Sequence, residues 1–442
     1  MALTAGLAAA GPVIARIPRC RALIAERPDF DVKETKMTSP KDSNKPPLDT
    51  IVRRSDIPQS ASRPVATPLF PSVVYASPSA DILDAQYEGA VDGYTYAREG
   101  HPNADILAAK IDSLEGISGD DAPGGIVTSS GMAAISAMFL GLLKQGDHVL
   151  AGDQLYGRSL RMLSQDLPRL GYETGFFDAC DAANLEAAIR PHTRIVMIEA
   201  VSNPTLRVAD VAGIAALAAR HGLILVVDNT FTTPAVFRPF DHGADIIIHS
   251  VTKFLAGHSD VTLGYVAARD PAHRTAIYDA AVTWGMTPSP FDCWLAERGM
   301  HSFDVRFAAA QANAAAIADG LSGQPGIRQV LYPGRADHPD HALAAALFGG
   351  AYGNMVSFEI EGGRAEVNRF IEAAGQIPFA PTLGDVATTL SHPASSSHRA
   401  LTAEARAALG MNEGFFRLSV GIEPATLLID ELNAALAAVR GE

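Results

Sequence analysis

The run Asp245-Ile-Ile-Ile-His-Ser-Val-Thr-Lys-Phe-Leu-Ala-Gly-His-Ser-Asp260 decides how this chain is read. Its consecutive isoleucines predict a strand buried on both faces, as in a parallel sheet. The strand ends in a small polar cluster, His249, Ser250 and Thr252, followed by Lys253. The strand therefore delivers an amine to its C-terminal end, beside two hydroxyls able to hold a phosphate. A lysine held in a partly desolvated pocket loses its proton more readily and becomes a nucleophile toward carbonyls.

Upstream, Leu223-Ile-Leu-Val-Val-Asp-Asn-Thr230 reads as a second buried strand, ending in Asp228. A strand-end aspartate, a strand-end lysine and hydroxyl anchors are what a pyridoxal 5'-phosphate site needs. The lysine attaches the cofactor and the aspartate pairs with the pyridinium nitrogen. A single lysine after an apolar run is also an ordinary solvated strand end, so the reading rests on further pieces in the right order.

Outward from this run, strands and helices alternate. Gly125-Ile-Val-Thr-Ser-Ser130 is a strand running into Gly131 and a helix from Met132 to Leu143. Then come His148-Val-Leu, a helix from Ser159, Glu173-Thr-Gly-Phe-Phe, a helix over 182–189, Arg194-Ile-Val-Met-Ile198 and a helix over 211–221. Alternation with apolar strands predicts a mostly parallel sheet covered on both faces. Past residue 300 the texture changes to a long Ala-rich helix over 307–320, strands Gln329–Tyr332 and Asn354–Glu359, and helices over 365–374 and 425–439. That is an α+β C-terminal domain. The segment 48–103 carries Pro64, Pro68, Pro71 and Pro78 with short apolar stretches, too little for a core of its own, and reads as an arm lying on something else. The expected organisation is an extension over 1–47, the arm over 48–103, a cofactor-binding domain over 104–299 and a C-terminal domain over 300–442.

Composition bounds the function. A chain of 442 residues exceeds one core. Its 48% hydrophobic and 19% charged content fits a globular enzyme. A net charge of −14 argues against a nucleic-acid surface and against anionic membranes. No run of eighteen apolar residues is free of charge, so no spanning segment is expected. Cys20, Cys180 and Cys293 have no paired spacing, which points to a reducing, cytoplasmic setting without disulfides or a zinc site. His338 and His341 flank a Pro and an Asp and read as a solvated loop; no metal is expected. Residues 1–36 are Ala-rich with scattered Arg, and Met37 is a second plausible start. Glu26, Asp29, Asp31 and Glu34 dilute any presequence character, so 1–47 is expected to be a disordered extension.

Ser250-x-Thr-Lys253 and Gly257-His-Ser-Asp260 resemble the lysine signature of the Cys/Met-metabolism group of pyridoxal-phosphate enzymes, and the resemblance runs from about Leu48 to the C-terminus. That group includes cystathionine γ-synthase, cystathionine lyases, methionine γ-lyase and O-acetylhomoserine sulfhydrylases. The resemblance implies an aspartate-aminotransferase-like α/β fold (fold type I) and a homotetramer built from dimers that share active sites. It also implies an amino-acid substrate undergoing elimination or replacement at Cγ or Cβ.

Residue by residue, the resemblance implies further roles. Ser129-Ser-Gly-Met132, at a strand-to-helix turn, matches the family's phosphate turn, so Gly131 and Met132 would hold the phosphate together with Ser250 and Thr252. Asp153-Gln-Leu-Tyr-Gly157 implies that Tyr156 stacks on the pyridine ring and takes part in proton transfer. Glu199-Ala-Val-Ser-Asn-Pro204 implies that Asn203 bonds the phenolic oxygen. Tyr94-Thr-Tyr-Ala-Arg98 implies that Tyr96 and Arg98 reach the phosphate of the neighbouring subunit. Arg417-Leu-Ser-Val-Gly-Ile-Glu423 implies that Arg417, opening a strand, clamps the substrate carboxylate, with Thr382 of Thr382-Leu-Gly-Asp385 beside it.

The chain departs from the pattern in three places. His101-Pro102-Asn103 replaces the usual Asn-Pro-Thr. Arg158 stands where many members carry Gly and methionine γ-lyases carry Cys. Pro381 stands where cystathionine γ-enzymes carry Glu, which disfavours a distal ammonium group, whereas Arg158 and Arg161 would suit a distal carboxylate. No Gly-x-Gly-x-x-Gly occurs, against a nicotinamide oxidoreductase. Lys253, Asp228 and Arg417 together argue against an inactive scaffold.

Overall fold

A computed structural model describes residues 52–53, 58, 60–119, 123–399 and 401–442. Cys20, Met37 and the expected extension lie outside the described residues.

The larger sheet holds β1 (Ile126–Thr128), β2 (His148–Gly152), β3 (Glu173–Phe177), β4 (Thr193–Glu199), β5 (Ile224–Asp228), β6 (Ile246–His249) and β7 (Gly264–Ala268), in the order β1-β7-β6-β5-β4-β2-β3. β2 to β6 are parallel; β7 runs antiparallel between β1 and β6. The period of two along each strand divides the core. Val226, Ile246 and Ile248 face a cluster containing Ile135, Met138 and Ile277, from the helices Gly131–Leu142 and Pro271–Thr283. Leu225, Val227 and Ile198 face the opposite cluster, with Ile214 of the helix Val211–His221 and Ala296 of the helix Pro290–Met300. Both faces are covered, which is why these strands are continuously apolar.

The smaller sheet holds β8 (Ile327–Leu331), β9 (Met355–Ile360), β10 (Thr389–Ser391) and β11 (Phe415–Ser419), all antiparallel, in the order β10-β11-β9-β8. Phe358, Phe370 and Phe416 form its centre, with the Phe370 and Phe416 ring centroids 5.0 Å apart. The helix Phe303–Leu321 serves both cores: Phe303 and Phe307 pack in the larger, Ala314, Ile317 and Leu321 in the smaller.

Two local readings are corrected. Arg417 does not open its strand; it is the third residue of β11, paired with Ser391 and Ser357, and it is buried. The loop carrying His338 is not solvated. His338 and Asp340 are buried, and Asp340 receives Arg207 Nε at 2.6 Å, Arg207 Nη2 at 3.0 Å and the Val208 amide at 3.0 Å. The loop after β8 is thereby pinned to the chain after β4, and burial pushes the His338 imidazole down to about 4. β7 carries no sequence signal that sets it apart, since Gly-Tyr-Val-Ala-Ala is short and does not alternate.

The helix Ala80–Tyr87 buries none of its residues, and Val65, Val73, Val74 and Tyr87 are exposed. Among the described residues no helix is long and apolar enough to cross a membrane, and no group of three or more His, Cys, Asp or Glu is placed to hold a metal ion.

Candidate active site

Parallel pairing puts the C-terminal ends of three strands side by side: Glu199 pairs with Asp228, and Asp228 with Ile248, next to His249. The chain leaving β6 turns at once, with the Lys253 amide bonded to the Ser250 carbonyl at 3.1 Å. The turn is tied to β5 through Thr230. The Thr230 hydroxyl accepts from the Ser250 amide at 2.8 Å and donates to Asp228 Oδ1 at 2.6 Å; the Thr230 amide donates to the same oxygen at 3.0 Å. One hydroxyl therefore fixes the Lys253 turn to the Asp228 carboxylate.

The second sheet closes the site from the other side. The turn Leu383-Gly384 lies against the Lys253 backbone. At Gly384, where φ is +85°, a Cβ would stand 2.6 Å from the Phe254 nitrogen and 2.7 Å from the Lys253 carbonyl carbon. Only glycine meets both demands. The turn presents Thr382, whose hydroxyl lies 3.4 Å from Lys253 Nζ. Arg417 reaches in from β11, with Nη1 donating to Asn203 Oδ1 at 2.7 Å and Nη2 to the Thr382 carbonyl at 2.7 Å, and its guanidinium lies 6.0 Å from the Phe231 ring centroid.

The cavity between the two sheets has a volume of about 720 Å³. It is lined by every residue singled out above, Gly131, Met132, Tyr156, Asn203, Asp228, Ser250, Thr252, Lys253, Thr382 and Arg417, with two exceptions. Tyr96 and Arg98 line a separate hollow, where Arg98 donates to the Val282 carbonyl at 3.4 Å and sits 5.5 Å from the Tyr96 ring. Thr252 is on the wall, but its hydroxyl already donates to the Leu263 carbonyl at 3.1 Å and accepts the Leu263 amide at 2.9 Å. Its single proton is committed to the backbone.

Burial sets the charges. Desolvation, and then the nearby Arg417 charge, lower the Lys253 amine from its ordinary value, which favours the free base. Burial pushes Arg417 down to about 10, so it stays charged at neutral pH. Burial also raises Asp228, against the two Thr230 hydrogen bonds and the charge of His249. Glu199 is raised well above the carboxylate range, by burial first and then by Asp228. Of this neighbouring pair Asp228 is the one held ionised, since the charge of His249 favours its carboxylate while Asp228 itself disfavours charge on Glu199.

The donor set fits a pyridoxal phosphate. The helix Gly131–Leu142 starts at the cavity wall with Ser130 as its cap, and its first amides and dipole suit an anion. Its start is packed so closely that a Cβ on Gly131 would stand 2.9 Å from Ser250 Cβ. Two polar atoms on wall residues, Arg417 Nε and Glu199 Oε2, are buried without a partner, as expected where a polar ligand completes the site.

The structure adds residues that the sequence reading left unassigned. Glu199 Oε1 accepts the Tyr156 amide at 2.7 Å and so positions that tyrosine; its signal was its place in Glu-x-x-x-Asn-Pro. Phe231 lies under Arg417. Arg158, Arg161 and Arg399 are exposed at the cavity wall with Ser395 to Ser397, and Pro381 stands on the same wall. Arg399 had no signal beyond following His392-Pro-Ala-Ser395.

A model of the family described as Cys/Met metabolism PLP-dependent enzyme matches residues 49–437. The chain is 40% identical over 343 residues to cystathionine beta-lyase MetC of Bacillus subtilis, covering 78% of this chain and 86% of that protein. It is 35% identical to an L-methionine gamma-lyase of Pseudomonas putida, covering 86% and 94%. Among solved structures, cystathionine gamma synthase from Xanthomonas oryzae pv. oryzae in complex with cystathionine superposes with a TM-score of 0.79 at 38% identity, over 85% of this chain and 94% of that one.

The packing of Gly384 on Lys253 yields a direct expectation. Gly384→Ala combines a left-handed backbone, costing about 1–2 kcal/mol for a residue with a Cβ, with a collision against the Lys253 backbone. The variant should melt several degrees lower and lose pyridoxal phosphate faster on dialysis, followed by visible absorbance. Wild-type melting and retention would show that the turn does not constrain Lys253.

Proposed function

We propose, for a chain that belongs to the Cys/Met metabolism PLP-dependent enzymes, that it eliminates or replaces the substituent at the γ or β carbon of a sulfur-containing or O-acylated amino acid. The observation that carries this reading is the convergence of Lys253, Asp228 and Arg417 on one cavity beside a helix start suited to a phosphate.

Pyridoxal phosphate supplies, when bound, an electron sink for the negative charge left on Cα as its proton departs. The chain does the rest. Lys253 would hold the cofactor and, with its amine free, would serve as the base and acid that moves the Cα proton. Burial and Arg417 favour its unprotonated form. Asp228 holds a proton at the ring nitrogen. Arg417, its plane fixed by Asn203 and the Thr382 carbonyl, offers Nε to a substrate carboxylate. Tyr156, positioned by Glu199 and still 40% exposed, would cover the cofactor ring and offer its hydroxyl for proton transfer. Gly131, Met132 and Ser250 hold the phosphate, with Thr252 placing the turn through Leu263. Without a second nucleophile the substituent leaves as a thiol or carboxylic acid and water releases a 2-oxo acid and ammonia; with a thiol, the incoming sulfur takes the place of the departing group.

Tyr96 and Arg98 serve the neighbouring subunit in this reading, within a homotetramer made of site-sharing dimers. Their distance from the Lys253 cavity and the exposure of the arm support it. The division into arm, cofactor-binding domain over 104–299 and C-terminal domain over 300–442 is part of the same proposal.

The cavity rim favours a second, narrower reading. Arg158 and Arg399 pair with no carboxylate among the described residues, and Arg161 approaches Asp166 only at 4.0 Å. The carboxylates lining the cavity are Glu199 and Asp228, both at its buried strand-end floor. A side chain ending in a carboxylate finds partners at this rim, and one ending in an ammonium group does not. Substrates with an acidic acyl end, such as an O-succinyl amino acid, fit better than methionine.

The test is an assay of purified enzyme with methionine, homocysteine, cystathionine and O-acetyl and O-succinyl homoserine, with and without thiol. Some member of the set should yield a 2-oxo acid or a thioether; no turnover of any would contradict the main reading. Within the set, kcat/KM should be highest for the O-succinyl compound, and Arg399→Ala should lower that value about tenfold, or roughly 1.4 kcal/mol, while sparing O-acetyl homoserine. Equal losses on both would remove the rim reading.

Subunit exchange tests the shared site. Arg98→Ala and Lys253→Ala should each be nearly inactive alone and regain part of the activity when mixed, since one site in such a hybrid carries neither change. No recovery after confirmed exchange would count against Arg98 acting across the interface.

A further inference from the structure

Behind Asp228, outside the cavity, lies a buried polar cluster that the function proposed above does not use. Glu115 follows the helix Pro102–Leu114 as its C-cap and is 1% exposed. Its Oε1 receives Asn229 Nδ2 at 3.0 Å and is hydrogen-bonded to His249 Nε2. Asn229 is the residue after Asp228, and His249 follows Ile248, the strand partner of Asp228. One carboxylate therefore grips both sides of the strand end that carries Asp228. Asn229 is held further by its own donation to the Phe237 carbonyl at 2.8 Å and by the Thr232 hydroxyl. The ring of His249 stands 6.0 Å from that of Tyr265, and no solvent reaches the group beyond a trace.

We propose that Glu115 and His249 form a positioning pair that sets both the place and the charge of Asp228 toward the ring nitrogen of the cofactor. This rests on the assignment of Asp228 made above. The geometry accounts for place: moving Asp228 means breaking the Asn229 and His249 bonds to one buried oxygen. The charge follows from neutrality. Glu115 Oε1 accepts from an amide and an imidazole, which suits a carboxylate, while Oε2 is buried with no partner. A buried carboxylate so incompletely bonded is tolerated when a cation stands beside it. His249 is the group hydrogen-bonded to it that can carry that charge. The imidazolium lies close enough to Asp228 to favour its ionised form, opposing burial. A purely structural strut would hold the strand end but leave the ring nitrogen unaffected.

The experiment uses holoenzyme reconstituted with pyridoxal phosphate labelled with ¹⁵N at the ring, whose nitrogen resonance reports protonation without any turnover. His249→Gln places an amide where Nε2 stood, keeping a donor to Glu115 and removing the charge; Glu115→Gln removes the counter-charge at constant size. Asp228→Asn is the control. Both variants should melt below the wild type, since each leaves one buried partner uncompensated, yet retain cofactor below their melting range, and shift the resonance from the protonated toward the unprotonated pyridine range, in the direction given by Asp228→Asn. If His249→Gln does not fold, Glu115→Gln gives the same reading. A wild-type resonance in a loaded variant, with Asp228→Asn shifted, would overturn the positioning role and leave Asp228 in place. A resonance unmoved in Asp228→Asn as well would overturn the Asp228 assignment and this inference with it.

Discussion

The contact on which the site depends is the packing of the Leu383-Gly384 turn against the Lys253 backbone. It joins the loop that leads into β10 of the smaller sheet to the strand-end turn of the larger one, at a distance that admits no side chain. Everything functional hangs from the two partners of this contact. On one side Thr230 ties the Lys253 turn to Asp228. On the other, Thr382 and Arg417 are fixed to each other and, through Asn203, back to the larger sheet. Lys253 is half-buried because both sheets meet over it, and desolvation favours its amine as a free base rather than a surface cation.

The same closure organises charge. Asp228, Glu199 and Arg417 are taken out of water together, and a buried charge persists only where hydrogen bonds or opposite charges compensate it. Thr230 and the charge of His249 favour the ionised form of Asp228, whereas Glu199 is driven toward the neutral acid by burial and by the charge of Asp228. Two adjacent carboxylates thus differ through their surroundings: Asp228 is the one proposed to face the ring nitrogen, and Glu199 holds the Tyr156 amide. At the exposed end of the cavity the balance reverses, and Arg158 and Arg399 present uncompensated positive charge.

Much of this was legible in the sequence, because buried parallel strands are continuously apolar and end in their functional residues. The isoleucines before His249 and the valines before Asp228 marked both strand ends, and Gly131 marked the start of the helix at the cavity wall. What was not legible came from long-range packing. β7 is short and small-residued, and is a strand because β1 and β6 flank it. Arg417 lies within β11 rather than at its start, because Asn203 and the Thr382 carbonyl satisfy it there. His338 looks solvated beside its Pro and Asp, but Arg207, far away in sequence, draws the loop inward. Glu115 and His249 are distant in sequence and have no shared motif, so their pairing could be read only from the fold. The Thr252 hydroxyl, read as a phosphate anchor, is bonded to Leu263.

Covalent attachment at Lys253 tests the account most directly. Reduction of the holoenzyme with borohydride, followed by proteolysis and mass spectrometry, should place a pyridoxyl group on the peptide containing Lys253 and nowhere else, and Lys253→Ala should trap none. A pyridoxyl group on a different lysine, or trapping that survives Lys253→Ala, would contradict it.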